Sequence, residues 1–191
     1  MPRQPNPDLE KEILDAAQKL WKRGGEKALT MRAVARASGS NTPSVYRRFR
    51  DRDDILRALL QRIRLDIAAQ LEGAGSPEEG CECYLDYALA HAHEYELYYR
   101  HAYELNHGPR ARRAGAQLME RPARNAMKRK LQEKFGPAHG DHERLVNALW
   151  MLAHGTAMLL IAKSILPHET VEARSVFTAA VRVLLQRPEA L

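Results

Sequence analysis

Side chains that donate hydrogen bonds or carry positive charge are concentrated in RASGSNTPSVYRRF, residues 36–49. Small polar residues come first, from Asn41 to Ser44, and a phenol and two guanidinium groups follow, from Tyr46 to Arg48. Small polar groups can approach the edges of nucleic-acid bases, whereas cations and phenols suit phosphate. This order of residue types predicts contact with a nucleic acid, and a solvated basic surface is the alternative.

Capping and turn residues divide this region into two short helices. Thr30 is a typical N-cap for the first helix, and Gly39 is a typical residue for its end. Asn41 caps the second helix, where Pro43 is tolerated in the first turn. A longer helix from about residue 53 to 71 follows. Two short helices joined by a tight glycine turn predict a helix-turn-helix whose second helix enters the major groove.

The remaining sequence predicts an all-α protein of about nine helices. Asn6 and Pro7 are predicted to begin the first helix, and Gly24 and Gly25 to end it. Pro122 falls inside a predicted helix and is expected to bend it. The predicted domains are a helix-turn-helix domain at 1–52, a connecting support helix at 53–72 and a ligand-binding and dimerisation domain at 73–191. The helices predicted beyond residue 73 are 78–92, 94–106, 110–135, 141–165 and 170–186.

The excess of positive over negative charge lies entirely in the first 70 residues. Residues 1–70 hold 15 Lys and Arg against 9 Asp and Glu, a net charge of +6, whereas residues 71–191 hold 15 of each. A basic N-terminal part on a neutral body favours a polyanionic partner. The first 20 residues have no apolar signal segment, and Cys81 and Cys83 would point to nearly opposite sides of a helix. A reduced, cytoplasmic protein is therefore expected.

The last two predicted helices are candidates for a dimer interface. The apolar run at 148–162 has 15 residues, which is shorter than the roughly 20 of a membrane span. We interpret it as a helix that buries more than one face, and we expect no membrane association. Pairing this helix and the last helix with their copies would form a four-helix homodimer interface, because a single helix-turn-helix binds only one half-site.

No catalytic or cofactor-binding arrangement is evident. The sequence has no Ser/His/Asp pattern and no phosphate-binding glycine loop, so we expect neither an enzyme nor a cofactor. A metal site at Cys83, Tyr87 and His91 is conceivable, but no CxxC or HxxxH pair supports it. We therefore expect no metal.

The segment LTMRAVARASGSNTPSVYRRFRDRDDIL, residues 29–56, resembles the DNA-binding region of the TetR/AcrR family of bacterial transcriptional regulators. The register runs without a gap. Ser40 replaces a usually aliphatic residue, Arg48 a usual His, and Arg50 a common Pro. The stretch WMLAHG, from Trp150 to Gly155, is also similar to a subgroup of the family with a Trp…His-Gly signature.

The resemblance implies a helix-turn-helix regulator, most simply a repressor that a small-molecule effector releases from a palindromic operator. Arg32 is the best single candidate for a bidentate guanine contact. The residues that the resemblance assigns to phosphates are Thr30, Asn41, Tyr46, Arg48 and Arg52. A ligand-binding or protein-interaction module that has lost operator binding is the alternative. The candidate DNA-binding residues are Thr30, Arg32, Asn41, Thr42, Pro43, Ser44, Tyr46, Arg47, Arg48 and Arg52.

An unusual aromatic cluster marks the middle of the chain. Six of the seven tyrosines lie between residues 84 and 103, which fits either a ligand cavity or ordinary core packing. Residues 110–134 hold nine Lys and Arg against two Glu, so an anionic effector such as an acyl-CoA is a further hypothesis. The candidate ligand-binding residues are Tyr84, Tyr87, His91, Tyr95, Tyr99, Trp150 and His154.

Overall fold

The computed structural model describes residues 8–107, 121–136 and 142–188, and the regular structure of these residues is entirely helical. Nine helices and no strand within these ranges confirm the predicted all-α fold. The helices are α1 (Leu9–Ala28), α2 (Met31–Ala37), α3 (Thr42–Arg48), α4 (Arg52–Gly73), α5 (Pro77–Ala90), α6 (Ala92–His107), α7 (Pro122–Phe135), α8 (Glu143–Ile161) and α9 (Glu169–Gln186).

The helix predicted at 110–135 differs from the helix found there. Arg121 has non-helical backbone angles (φ −113°, ψ 76°), and α7 begins at Pro122 instead of bending at it. A proline fits a helix start because the first N–H groups have no intrahelical partner. The front of this predicted helix, and the start of α1 predicted at Asn6 and Pro7, lie outside the described residues.

The chain divides into two compact units, Met1–Ile63 and Arg64–Leu191, and the boundary falls within α4. In the first unit, α2 packs against both α1 and α3. Helix α1 is interrupted at Gly24 and Gly25, whose backbone angles are non-helical, close to the predicted helix end. The buried side chains that hold this unit together include Ile13, Ala17, Leu29, Val34, Val45, Phe49, Ile55 and Leu59.

The turn between α2 and α3 forms as its residues predict. Gly39 has a φ of +64°, a conformation that costs a glycine little and other residues more. The Thr30 hydroxyl accepts a hydrogen bond from the Ala33 N–H at 3.2 Å, and the Asn41 Oδ1 accepts one from the Ser44 N–H at 2.8 Å. Both predicted N-caps are thereby confirmed, and the start of α3 is held in a defined orientation.

The second unit is built around α5, which packs against α6, α7, α8 and α9. Arg174 of α9 donates hydrogen bonds to Glu82 at 3.0 Å and to Asp86 at 2.6 Å, which ties α9 to α5. The buried side chains of the second unit include Leu85, Ala88, Tyr95, Leu97, Leu131, Leu149, Phe177, Val181 and Leu185.

Helix α8 is apolar on more than one face. In the described part of the chain it is the one helix that is long and apolar enough, by length and composition, to cross a membrane. Leu145, Leu149 and Ala153 are buried, whereas Met151 and Leu159 point outward and are exposed. Part of the apolar surface of α8 is therefore left exposed by the described residues.

Candidate functional site

The ten candidate DNA-binding side chains are all exposed or partly exposed, as contact with a partner requires. Helix α3 is anchored from the opposite side, because Val45 and Phe49 are buried. Tyr46 is 53% exposed although it is a large aromatic residue. The helix thus presents a polar surface on an apolar anchor, which is the arrangement that insertion into a major groove requires.

Helix α3 carries a preformed polar pair on its outer surface. The Arg47 guanidinium donates a 2.6 Å hydrogen bond to the Ser44 hydroxyl, one turn earlier. This contact orients the guanidinium along the helix, and its remaining N–H groups are suited to base edges or phosphate. The Asn41 amide oxygen is used in the cap, so its NH₂ group is the part of Asn41 that can donate to a phosphate.

Carboxylates accompany the arginines at the start of α4. Arg52 pairs with Glu26 of α1, and its Nε lies 3.6 Å from Asp53. Arg50 pairs with Asp54 at 3.2 Å. Burial raises the pKa of Asp54, but hydrogen bonds from Arg50 and Arg57 outweigh burial and hold that pKa well below its ordinary value. Arg50 stands where the resembled family often has proline. Its ion pair with Asp54 therefore helps to stabilise the beginning of α4.

A cavity of about 340 Å³ lies within the second unit, which is within the usual size range of small-molecule sites. The residues of α4, α5, α6, α7 and α8 contribute to its wall. The described lining consists of Arg64, Ile67, Leu71, Cys81, Tyr84, Tyr98, Tyr99, Arg121, Pro122, Ala123, Arg124, Met127, Val146, Asn147, Leu149, Trp150 and Ala153.

A chain of hydrogen bonds joins five aromatic side chains at this cavity. The Trp150 indole N–H donates to the Tyr99 hydroxyl at 3.1 Å. The hydroxyls of Tyr99 and Tyr84 are 2.5 Å apart, and those of Tyr84 and Tyr95 are 2.9 Å apart. The Tyr95 hydroxyl lies 2.7 Å from Nδ1 of His154. The Trp150 ring stacks on the His154 ring with a centroid distance of 5.4 Å.

Burial lowers the pKa of His154, which favours a neutral imidazole. The Tyr95 hydroxyl can donate to Nδ1 of the tautomer that carries its hydrogen on Nε2, or accept from Nδ1–H of the other tautomer.

We expect the protein to lose stability as the pH is lowered, partly because of His154. Its pKa is lowered in the folded state, so the unfolded chain binds the proton more readily, and the free energy of unfolding decreases as pH falls through the unfolded pKa of about 6.5. His154→Gln keeps an acceptor for Tyr95 but cannot titrate. Urea unfolding at pH 7.5 and 5.5 should therefore show a smaller loss of stability in this variant.

His168→Gln is the matched control, because His168 is exposed at the surface before α9. This control should lose as much stability as the wild type over the same pH range. An unchanged pH dependence in His154→Gln would contradict the neutral assignment.

The structure separates the seven candidate ligand-binding residues into three groups. Tyr84, Tyr99 and Trp150 line the cavity. Tyr95 and His154 are outside the described lining but belong to the hydrogen-bond chain. The two remaining residues, Tyr87 and His91, pack against each other with tilted rings and a ring-centroid distance of 4.5 Å, and are also outside the described lining.

Sequence reasoning missed the cationic part of the cavity wall, formed by Arg64, Arg121 and Arg124. A signal for Arg64 was present, because it lies in register with Ile67 and Leu71 on the apolar stripe of α4. A charged residue within the apolar stripe of a helix is unusual, and this position marks Arg64 as a candidate functional residue. Within the described ranges, no three His, Cys, Asp or Glu side chains are grouped so that they could hold a metal ion.

Comparisons with known proteins extend over most of the chain. Residues 13–59 match the family described as "Bacterial regulatory proteins, tetR family", and residues 78–184 match "Tetracyclin repressor-like, C-terminal domain". No curated protein sequence matches the chain significantly.

Solved structures share this fold at low sequence identity. A protein of unknown function from Rhodococcus sp. RHA1 is 23% identical, with a TM-score of 0.71 and 97% of each chain covered. A TetR-family transcriptional regulator from Streptomyces coelicolor is 21% identical, with a TM-score of 0.58, and the match covers 94% of this chain and 98% of that one. The multidrug binding protein EbrR, complexed with imidazole, is 20% identical, with a TM-score of 0.61 and coverages of 94% and 93%.

Proposed function

The chain belongs to the TetR family of bacterial regulatory proteins, and from this membership we propose that it is a homodimeric, cytoplasmic repressor of transcription. Two copies of α3 bind the two half-sites of a palindromic operator. The observation that carries this proposal is the presentation of α3. Its polar first turn is capped by Asn41, and its apolar side is buried through Val45 and Phe49.

Exposed apolar residues on α8 and α9 support the homodimer. Met151, Gly155 and Leu159 recur every four residues on α8, and a Cβ added at Gly155 would meet no atom within 4 Å. Val176 and Val183 are exposed at a spacing of seven on α9. These spacings give one outward stripe on each helix, so pairing with a second copy buries both in a four-helix interface.

The cavity supports control by a small molecule. One structural relative, the multidrug binding protein EbrR, has been solved with imidazole and with ethidium. In the proposed mechanism, residues 1–52 bind the operator and residues 73–191 bind the second copy. The effector is bound by residues 73–191 together with Arg64, Ile67 and Leu71 of the support helix at 53–72, which connects the two functions. The effector shifts the population towards a state whose recognition helices no longer match the operator spacing.

Salt-dependent binding to DNA tests the proposal. A duplex is first selected with the protein from a random-sequence pool, and its affinity is then measured by fluorescence anisotropy at several salt concentrations. Arg48 and Arg52 of each protomer are assigned to phosphates, so a dimer neutralises about four phosphates. The affinity should then fall by about 10²-fold between 50 and 200 mM salt.

The same measurement separates the regulator from a ligand-binding module that has lost operator binding. A scrambled duplex of equal length is the control and should bind at least 10³-fold more weakly at fixed salt. Failure to select any duplex, or an affinity that does not depend on salt, would favour the ligand-binding module.

A further inference from the structure

The arginines in the wall of the cavity already have partners or face water. Arg124 donates hydrogen bonds to Asn147 and to the carboxylate of Glu143. Arg64 is only 7% exposed and has an interaction of its own within the chain. Arg121 is exposed, so water weakens the field of its charge. An anionic ligand would therefore compete with a partner or with water at each of the three guanidinium groups.

The described wall offers an organic cation no counter-charge either. None of the described lining residues is an Asp or a Glu. A ligand charge of either sign would lose its hydration on entering the cavity without gaining a free partner of opposite sign, and this loss lowers affinity. The charges of the wall therefore favour an uncharged ligand.

Much of the wall is apolar and buried. Leu71, Cys81, Met127, Leu149 and Ala153 line the cavity and are buried, and they come from α4, α5, α7 and α8. A cavity of about 340 Å³ is at the lower end of the range for small-molecule sites, which fits a body of about two or three fused rings. It is too small for a whole CoA thioester, of which only the acyl end would enter.

The tyrosine hydroxyls in the wall are bonded to other side chains. The Tyr84 hydroxyl lies 2.5 Å from that of Tyr99 and 2.9 Å from that of Tyr95. The Tyr99 hydroxyl also accepts a hydrogen bond from the Trp150 indole at 3.1 Å. Tyr84, Tyr99 and Trp150 therefore offer a ligand mainly their ring surfaces, which favour a flat aromatic body.

Asn147 is a neutral polar residue of the wall whose side-chain amide has a defined orientation. Arg124 can only donate, so the Asn147 amide oxygen accepts the hydrogen bond between them. The Asn147 NH₂ group is then the part of the amide that can bind a ligand, and it can only donate. Asn147 is partly buried and lines the cavity. The ligand group that matches it is an uncharged acceptor, such as a carbonyl oxygen.

We propose that the effector is an uncharged, flat aromatic molecule with a carbonyl group, whose ring lies against the apolar and aromatic wall and whose carbonyl oxygen accepts a hydrogen bond from the Asn147 NH₂ group. This inference rests on the proposed function of the cavity as the effector site. The carbonyl oxygen gives up its hydrogen bond to water when the ligand enters, and the amide replaces that bond.

Four ligands of similar shape test the preference. The probes are 2-acetylnaphthalene, 2-ethylnaphthalene, 2-naphthoate and 2-naphthylmethylammonium. The full-length protein is titrated calorimetrically into a dilute solution of each probe at pH 7.5 and fixed ionic strength. We expect the ketone, 2-acetylnaphthalene, to bind at least about 10-fold more tightly than either charged compound.

Substitutions of Asn147 test the hydrogen bond. Asn147→Leu removes the donor at similar size and should weaken the ketone about 10-fold without weakening 2-ethylnaphthalene, which has no acceptor. Leucine favours a helix more than asparagine does, and Arg124 keeps Glu143, so the fold should be retained. Asn147→Asp keeps an acceptor for Arg124 but cannot donate, so it should also weaken the ketone.

Asn125→Leu is the matched control, because Asn125 is exposed on α7 and lies outside the described cavity wall. This control should not change the binding of any probe. The inference is wrong if a charged compound binds as tightly as the ketone or if none of the four probes binds. It is also wrong if Asn147→Leu leaves the ketone unaffected, or weakens the ketone and 2-ethylnaphthalene equally.

Duplex binding measured without ligand reports on the proposed function separately. Selectivity for the ketone in a protein that binds no duplex would leave the chemistry of the cavity standing and remove the operator.

Discussion

The double variant Val176→Glu, Val183→Glu is expected to be monomeric and to bind the selected duplex about 10³-fold more weakly than the wild type. Val176 and Val183 are 58% and 59% exposed on the outward stripe of α9. Because a two-fold interface contains both copies of each residue, two substitutions place four carboxylates in it. Repulsion and desolvation then oppose association, and a monomer can bind only one half-site.

Sedimentation equilibrium measures the change in oligomeric state, and fluorescence anisotropy measures the affinity for DNA. Leu65→Glu is the matched control, since Leu65 is an apolar residue of similar exposure, 51%, but lies on α4. It should remain dimeric and bind the duplex normally. A double variant that stays dimeric would show that the exposed stripe of α9 is not the dimer interface.

Arg32→Ala is expected to remove sequence preference at one base pair of each half-site. Arg32 is exposed at the second residue of α2, and the resemblance assigns it a guanine. A bidentate contact of this kind is worth about 1–3 kcal/mol, so two copies in a dimer contribute about 2–6 kcal/mol. The affinity for the selected duplex should fall by about 30-fold or more, whereas a duplex already changed at that base pair should lose little.

Arg52→Ala gives the contrasting pattern. Arg52 is assigned to a phosphate and is held by Glu26 and Asp53, so its loss should weaken all duplexes alike and reduce the salt dependence by about two ions per dimer. Glu26→Ala is its control, because it removes the ion pair but keeps the cation. Equal losses on matched and changed duplexes for both Arg32→Ala and Arg52→Ala would contradict these two assignments.

The N-terminal region shows how far local sequence can predict structure. The side chains of Thr30 and Asn41 each accept a hydrogen bond from the backbone N–H three residues later, and Gly39 adopts a positive φ. All three features depend on neighbours within one helical turn, so they could be inferred without knowing the fold. The salt bridge between Arg52 and Glu26 could not, because its partners come from different helices.

The C-terminal region marks the limit of sequence reasoning. Tyr84 and Tyr87 are both candidate ligand-binding residues, yet Tyr84 lines the cavity and Tyr87 packs against His91 outside its described wall. Periodicity assigns a residue to a face of its helix, but it does not say which other helix that face meets. The register of Arg64 with Ile67 and Leu71 is visible in the sequence, but only the structure shows that this face of α4 lines a cavity.

By itself, the sequence determined the all-α class, the two short capped helices and the basic character of the first 70 residues, because capping, periodicity and charge are properties of neighbouring residues. Only the tertiary structure decided which residues converge on the cavity. Arg64, Tyr98 and Trp150 come from three helices, Arg121 directly precedes a fourth, and all four residues are far apart in the chain. Their meeting depends on how the helices pack, and so does the exposure of Val176 and Val183.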